Sequence, residues 1–138
     1  MKKLVFIVVL AVATQLNAQD QLPWLTNHDT ALKLAKAEQK PLLVYVTNGV
    51  KTPASALLND QIFNTDTFKK LQSKVILLQL EVPSMEHANY RLGIHYTKKT
   101  TTPGLGLVDA DGDTIGEPLA DITPESAKSF LLFLKSKL

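Results

Sequence analysis

Two apolar runs constrain this chain more than any other feature. Leu42, Leu43, Val44, Tyr45 and Val46 follow one another between Pro41 and the pair Asn48-Gly49, and Val75, Ile76, Leu77, Leu78 and Leu80 form a second run interrupted only by Gln79. Each is short, and neither shows the polar alternation of a strand with one wet face, so each predicts a strand covered on both sides. Between them stand two helix signals. Thr52 precedes Pro53, an N-cap followed by the residue favoured at the first helical position, and a helix is expected from Pro53 to about Asn59. Asn64, Thr65 and Asp66 then offer three capping residues ahead of Phe68 and Leu71. Strand, helix and strand at this spacing form a right-handed βαβ unit with parallel strands, which places the chain in the α/β class.

The flanking segments extend that unit. Residues 29–39 are rich in Ala, Leu and Lys and predict a helix ending before Lys40-Pro41. Residues 84–92 carry Met85, Ala88 and Leu92 on one helical face, and Gly93 is expected to stop that helix. A polar segment, 96–102, leads to residues 104–108 and to Thr114-Ile115, which read as an antiparallel hairpin turned by residues 109–113. Thr123 caps and Pro124 starts a last helix in which Ala127, Phe130, Leu131 and Leu134 follow helical spacing. The expected architecture is a central mixed β-sheet with flanking helices.

Lys2 and Lys3, an apolar stretch over 4–13 and Leu16-Asn17-Ala18 have the form of an export signal, residues 1–18, cut after Ala18. The apolar stretch is too short to span a bilayer, and without cysteine there is no site for a thioether-linked lipid, so no membrane anchor is expected. Residues 19–138 suffice for one domain with one core. The formal charge of +2 disappears with Lys2 and Lys3, and a neutral domain with interspersed charges gives no electrostatic case for nucleic acid or for an anionic membrane. The expected location is the periplasm or the cell exterior. There, a chain with no cysteine has no disulfide staple and depends on its apolar core.

The ordered set Trp24, Ala31-Leu32, Ala35-Lys36, Lys40 to Val44, Ile62-Phe63, Phe68, Leu80 to Pro83, Tyr90, Gly93-Ile94, Thr102-Pro103 and Asp109 to Gly112 resembles the exported thioredoxin-related proteins of Gram-negative bacteria. The resemblance runs over nearly all of 22–138 and implies a thioredoxin-like fold. It places Thr52 and Ser55 of the Thr52-Pro53-Ala54-Ser55 segment on the family's two redox cysteines, and Tyr45 near a strand position where many members keep a buried Asp that moves protons. It also matches Pro103 to the family's cis-proline, with Thr102 lining the groove that binds extended peptide in relatives. The stretch His95 to Thr102 is longer than the family's usual spacing.

Thiol chemistry needs a nucleophilic sulfur and a second sulfur to close the disulfide, and two hydroxyls supply neither. The favoured expectation is therefore a redox-inactive module, without cofactor or metal, that holds an exported protein or extended peptide in a groove of Thr52, Pro53, Ser55, Thr102 and Pro103. The alternatives are a hydrolase or transferase using Ser55 or a histidine at that face, or a vestigial domain without ligand. For the enzyme there is no Gly-x-Ser-x-Gly elbow and no identifiable base. His28, His87 and His95 have no zinc spacing. Asp109, Asp111 and Asp113 begin like a calcium loop, but Thr114 and Ala120 stand where Gly and a bidentate Glu are required, so a polar turn is expected. Lys51 reads as a solvated charge.

Overall fold

The computed structural model describes residues 24–138; the expected signal and its cut after Ala18 lie outside the described residues. Strand β1 (Leu42–Thr47) occupies the interior of a four-stranded sheet in the order β2-β1-β3-β4. Strand β2 (Ile76–Glu81) runs parallel to it, pairing Leu42 with Ile76 and Thr47 with Glu81. Strand β3 (Gly104–Val108) runs antiparallel on the other side, with Val46 opposite Gly104, and β4 (Thr114–Leu119) closes the hairpin at the far edge. Trp24-Leu25 approaches the β2 edge, where the Leu25 N–H donates to Leu77 O and Leu25 O accepts from Gln79 N–H, both at 2.8 Å.

Alternation along the strands builds two apolar layers. Leu43, Leu77, Leu105 and Leu107 face helices α2 (Pro53–Leu58), α3 (Asp66–Leu71) and α5 (Pro124–Lys137), and bury against Leu58, Phe68, Phe130 and Leu134. Leu42, Val44, Val46, Leu78 and Leu80 face the opposite way, onto Ala31 and Ala35 of α1 (His28–Glu38) and Tyr96 of α4 (Asn89–Thr97). Both faces of β1 are thus covered, as a continuous apolar run requires.

Side-chain caps start α1, α2, α3 and α5, and the first helix begins one residue earlier and ends one residue sooner than the expected 29–39. The Asn27 side chain caps α1 by accepting from the Thr30 N–H at 2.9 Å, and Gln39 leaves that helix in the left-handed conformation, φ 53. Of the three candidates, Thr65 caps α3, its Oγ1 accepting from the Phe68 N–H at 3.2 Å. The segment after α2 is not a simple α-helical end: Asn59–Phe63 forms a π-helical turn, closed by the Asn64 N–H donating to Asn59 O at 2.8 Å.

One helix differs from expectation. Residues 84–88 form turns, and α4 starts at Asn89 and runs through Gly93 to Thr97. Gly93 is buried because the helix lies close on β1 there: a Cβ would stand 3.0 Å from Val46 Cγ1. Its smallness serves packing, not termination. Lys98 takes the terminal left-handed position instead, φ 62, and donates its N–H to Ile94 O at 2.8 Å. The added turn of helix takes up part of the long stretch before Pro103 and buries Tyr96 and Thr97, which sequence pattern assigned to a polar segment. In the hairpin, β4 extends past Ile115 as far as Leu119.

Candidate functional site

Thr52 terminates the loop that leaves β1, and its side-chain partner, Ser55, is local. Its Oγ1 accepts from the Ser55 N–H at 3.1 Å, while its own N–H donates to Ser55 Oγ at 2.8 Å, a reciprocal capping box. Ser55 Oγ also donates to the Thr52 carbonyl at 2.9 Å. Both hydroxyls are therefore occupied by the backbone of the same turn.

The same device stands at the start of α5. Thr123-Pro124-Glu125-Ser126 repeats the Thr-Pro-x-Ser pattern, with Thr123 N–H to Ser126 Oγ at 2.8 Å and Ser126 N–H to Thr123 Oγ1 at 3.1 Å. Backbone angles at the two caps coincide, φ −131 and ψ 166 at Thr52 against φ −130 and ψ 165 at Thr123. Nothing in the first box is particular to a reactive centre.

Antiparallel pairing of Val46 with Gly104 sets Thr102 and Pro103 at the end of the sheet from which β1 departs toward Thr52. The Thr102–Pro103 bond is cis, with Pro103 buried and Thr102 half-buried. Pro53 is exposed, and Lys51 is an exposed charge beside it. All five residues of the expected groove thus sit at one end of the sheet, though no hydrogen bond among the described residues joins Thr52 or Ser55 to Thr102. Thr100, Thr101 and Thr102 contribute neither N–H nor C=O to any backbone hydrogen bond among the described residues. Two exposed apolar side chains, Val50 and Met85, also belong to loops leaving the parallel strands; Met85, expected on the apolar face of a helix, stands exposed in a turn, because α4 starts only at Asn89.

A serine enzyme finds no support in the geometry. Ser55 lies on α2, on one side of the sheet, whereas His28 and His95 lie on α1 and α4, on the other. His28 Nε2 is hydrogen-bonded to the Tyr96 hydroxyl, and His87 Nδ1 accepts from the Asn89 N–H at 3.1 Å. Burial pushes the Tyr96 hydroxyl above its ordinary pKa. Asp109 Oδ1 accepts from the N–H groups of Asp111 and Asp113 at 2.9 and 3.0 Å, so that carboxylate shapes the hairpin turn. No cluster of metal-binding side chains occurs among the described residues.

A family model described as thioredoxin-like matches residues 23–110, well over half the chain. The chain belongs to the thioredoxin-like family. The sheet order and the helices on both its faces agree with solved structures similar to this thioredoxin-like protein. A DsbH oxidoreductase is 22% identical, with 84% of this chain and 83% of that one covered and a TM-score of 0.63. The C-terminal domain of DsbD from Neisseria meningitidis, in its oxidised form, is 16% identical over 84% and 100% of the two chains, with a TM-score of 0.64. A thioredoxin from Thermus thermophilus is 19% identical over 84% and 86%, with a TM-score of 0.60. Identities this low establish the fold alone. No curated protein matches the sequence. Within its fold this thioredoxin-like protein carries no cysteine at all, which leaves it without a disulfide of its own to open or close.

Proposed function

We propose that this protein is an exported, redox-inactive binding module that holds an extended peptide or protein segment against the Thr102–Pro103 end of its sheet. The observation that carries the reading is the unpaired backbone of Thr100, Thr101 and Thr102. A chain laid beside them gains main-chain hydrogen bonds of the kind that strand addition supplies. In this reading Thr52, Pro53 and Ser55, at the capped start of α2, supply the other wall of the groove. The export half of the reading rests on Lys2, Lys3, the apolar stretch that follows and the small residue Ala18.

Peptides selected from a random library against residues 19–138, followed by backbone amide shift mapping of the best binders, test the reading. Shifts concentrated on residues 99–104 and 52–55 are expected. Failure to select any peptide, or shifts centred elsewhere, rejects it in favour of a domain without a ligand at this face. Export is tested separately by the intact mass of the protein recovered outside the cytoplasm, which should begin at Gln19; a product retaining Lys2 and Lys3 defeats that half alone.

A further inference from the structure

On the side of the sheet that α2, α3 and α5 cover, a cavity of about 180 Å³ opens between the β1–β2 pair, the π-helical turn and α3. Its apolar wall is a triangle of rings. Trp24, Tyr45 and Phe63 stand with centroids 5.3 to 5.9 Å apart and planes inclined by 59 to 81°. All three are half-buried, so the cluster keeps accessible ring surface. Its polar wall consists of amides: Asn59, Asn64, Gln72 and Gln79 line the same space. None of these four side chains has a hydrogen-bond partner among the described residues, although Gln72 and Gln79 are half-buried. These amides are open to solvent and uncommitted within the protein, so a ligand that replaces their water can take both donor and acceptor positions.

The backbone brings these amides together. A π-helical turn closes i→i+5, and here the bond joins Asn64 to Asn59, setting the two residues at its ends beside each other at the rim. Such turns are rare and frequently stand at functional sites. Gln79 sits opposite Tyr45 in the β1–β2 register, which fixes one amide next to one ring.

We infer that this cavity binds a single neutral pyranose ring, a free monosaccharide or one residue of a glycan. The lining contains no carboxylate, which removes the attraction for a cation, and its one charge, Lys69, is exposed and unsupported by a second cation or an arginine fork for a phosphate. Side-chain amides both donate and accept, as sugar hydroxyls do. The C–H face of a pyranose buries on the accessible face of one aromatic ring, which the half-buried rings of Trp24, Tyr45 and Phe63 offer. The volume lies below the roughly 300–1,000 Å³ of sites for drug-sized ligands and suits one ring. This site is separate from the Pro103 face and does not depend on how that face is used.

Trp24 is the chain's single tryptophan and part of the wall, so indole fluorescence reads this cavity directly. Residues 19–138 are titrated into the millimolar range with methyl α-glucopyranoside, methyl α-mannopyranoside and N-acetylglucosamine, with uridine as the planar control. A saturable emission change with at least one sugar is expected, weakened about tenfold by Gln79→Leu, as loss of a ligand hydrogen bond predicts. Asn59→Ala, at an exposed position, gives the same test should Gln79→Leu disturb the sheet. No saturable change with any of the sugars in the folded protein overturns the inference. So does a response to uridine alone, or sugar binding that both variants leave intact.

Discussion

At the residue scale, the most informative positions are Thr52 and Ser55, because both hydroxyls are engaged by one turn of backbone. If that turn is their whole role, removing the cap should cost the same here as at the duplicate box. Thr52→Ala and Thr123→Ala are each expected to lose about 0.5–2 kcal/mol in urea unfolding, within a few tenths of one another. A much larger loss at Thr52 would show that it does something its twin does not. The pair Thr52→Cys with Ser55→Cys should form an intramolecular disulfide, since side chains three apart at a helix start share a face, within the roughly 4.4–6.8 Å Cα separation a disulfide accepts. Without its hydroxyl caps the reduced double variant should be less stable than the wild type, and oxidation should restore part of the loss. Two free thiols after mild oxidation of the folded protein would mean that these side chains diverge.

At the scale of elements, the fold depends on how closely α4 can lie on the sheet. Two glycines of β3 permit it: a Cβ on Gly106 would stand 2.8 Å from the Tyr96 carbonyl oxygen, and one on Gly104 would stand 2.8 Å from Thr97 Cγ2. Backbone cannot yield as a side chain can. Gly106→Ala is therefore expected to lose about 1–3 kcal/mol, the range for an overpacked core. Gly93→Ala meets only side chains, Val46 at 3.0 Å and Val82 at 3.6 Å, and gains up to about 1 kcal/mol of helix propensity, so its net loss should be the smaller. Thermal unfolding of the two variants gives the order, and a reversed order would place the tight approach on the helix and not on the strand. The far edge strand carries a different restraint: Gly116 has φ +66 and lies under the Phe133 ring, which bends β4 away from regular pairing near its middle.

On the scale of the whole molecule, no disulfide assists the fold, and two apolar layers around one sheet hold α1 and α4 on one side and α2, α3 and α5 on the other. A polar tie adds to the first layer. The His28 to Tyr96 hydrogen bond links α1 to α4 across a sequence separation of 68. Tyr96→Phe should cost about 0.5–1.5 kcal/mol at neutral pH for the lost bond. The tie also has a pH signature. Burial raises the Tyr96 hydroxyl above 10.0, so between its unfolded and native values the native state holds a proton that the unfolded chain has released. Stability from this source is complete below the unfolded value and is lost as pH rises through the native one. Urea midpoints followed from neutral pH to about pH 11 should fall more steeply for the wild type than for Tyr96→Phe. Parallel profiles would show that Tyr96 ionises as freely in the native protein as in the unfolded chain.

Sequence by itself determined the parts that depend on neighbours along the chain. The βαβ unit follows from two apolar runs with no polar alternation, the helix starts at Thr52 and Thr123 from short-range capping, and the absence of thiol chemistry from composition alone, whereas sequence narrows the cap of α3 only to Asn64, Thr65 or Asp66. Tertiary structure decided whatever depends on distance between remote residues. Gly93 is a stop signal in sequence but an interior residue of α4, because Val46, on another element, sets how near the helix must come. The π-helical turn and the ring cluster of Trp24, Tyr45 and Phe63 escape any contiguous pattern for the same reason. Their side chains come from separate segments, and only the folded sheet and its covering helices bring them to one cavity.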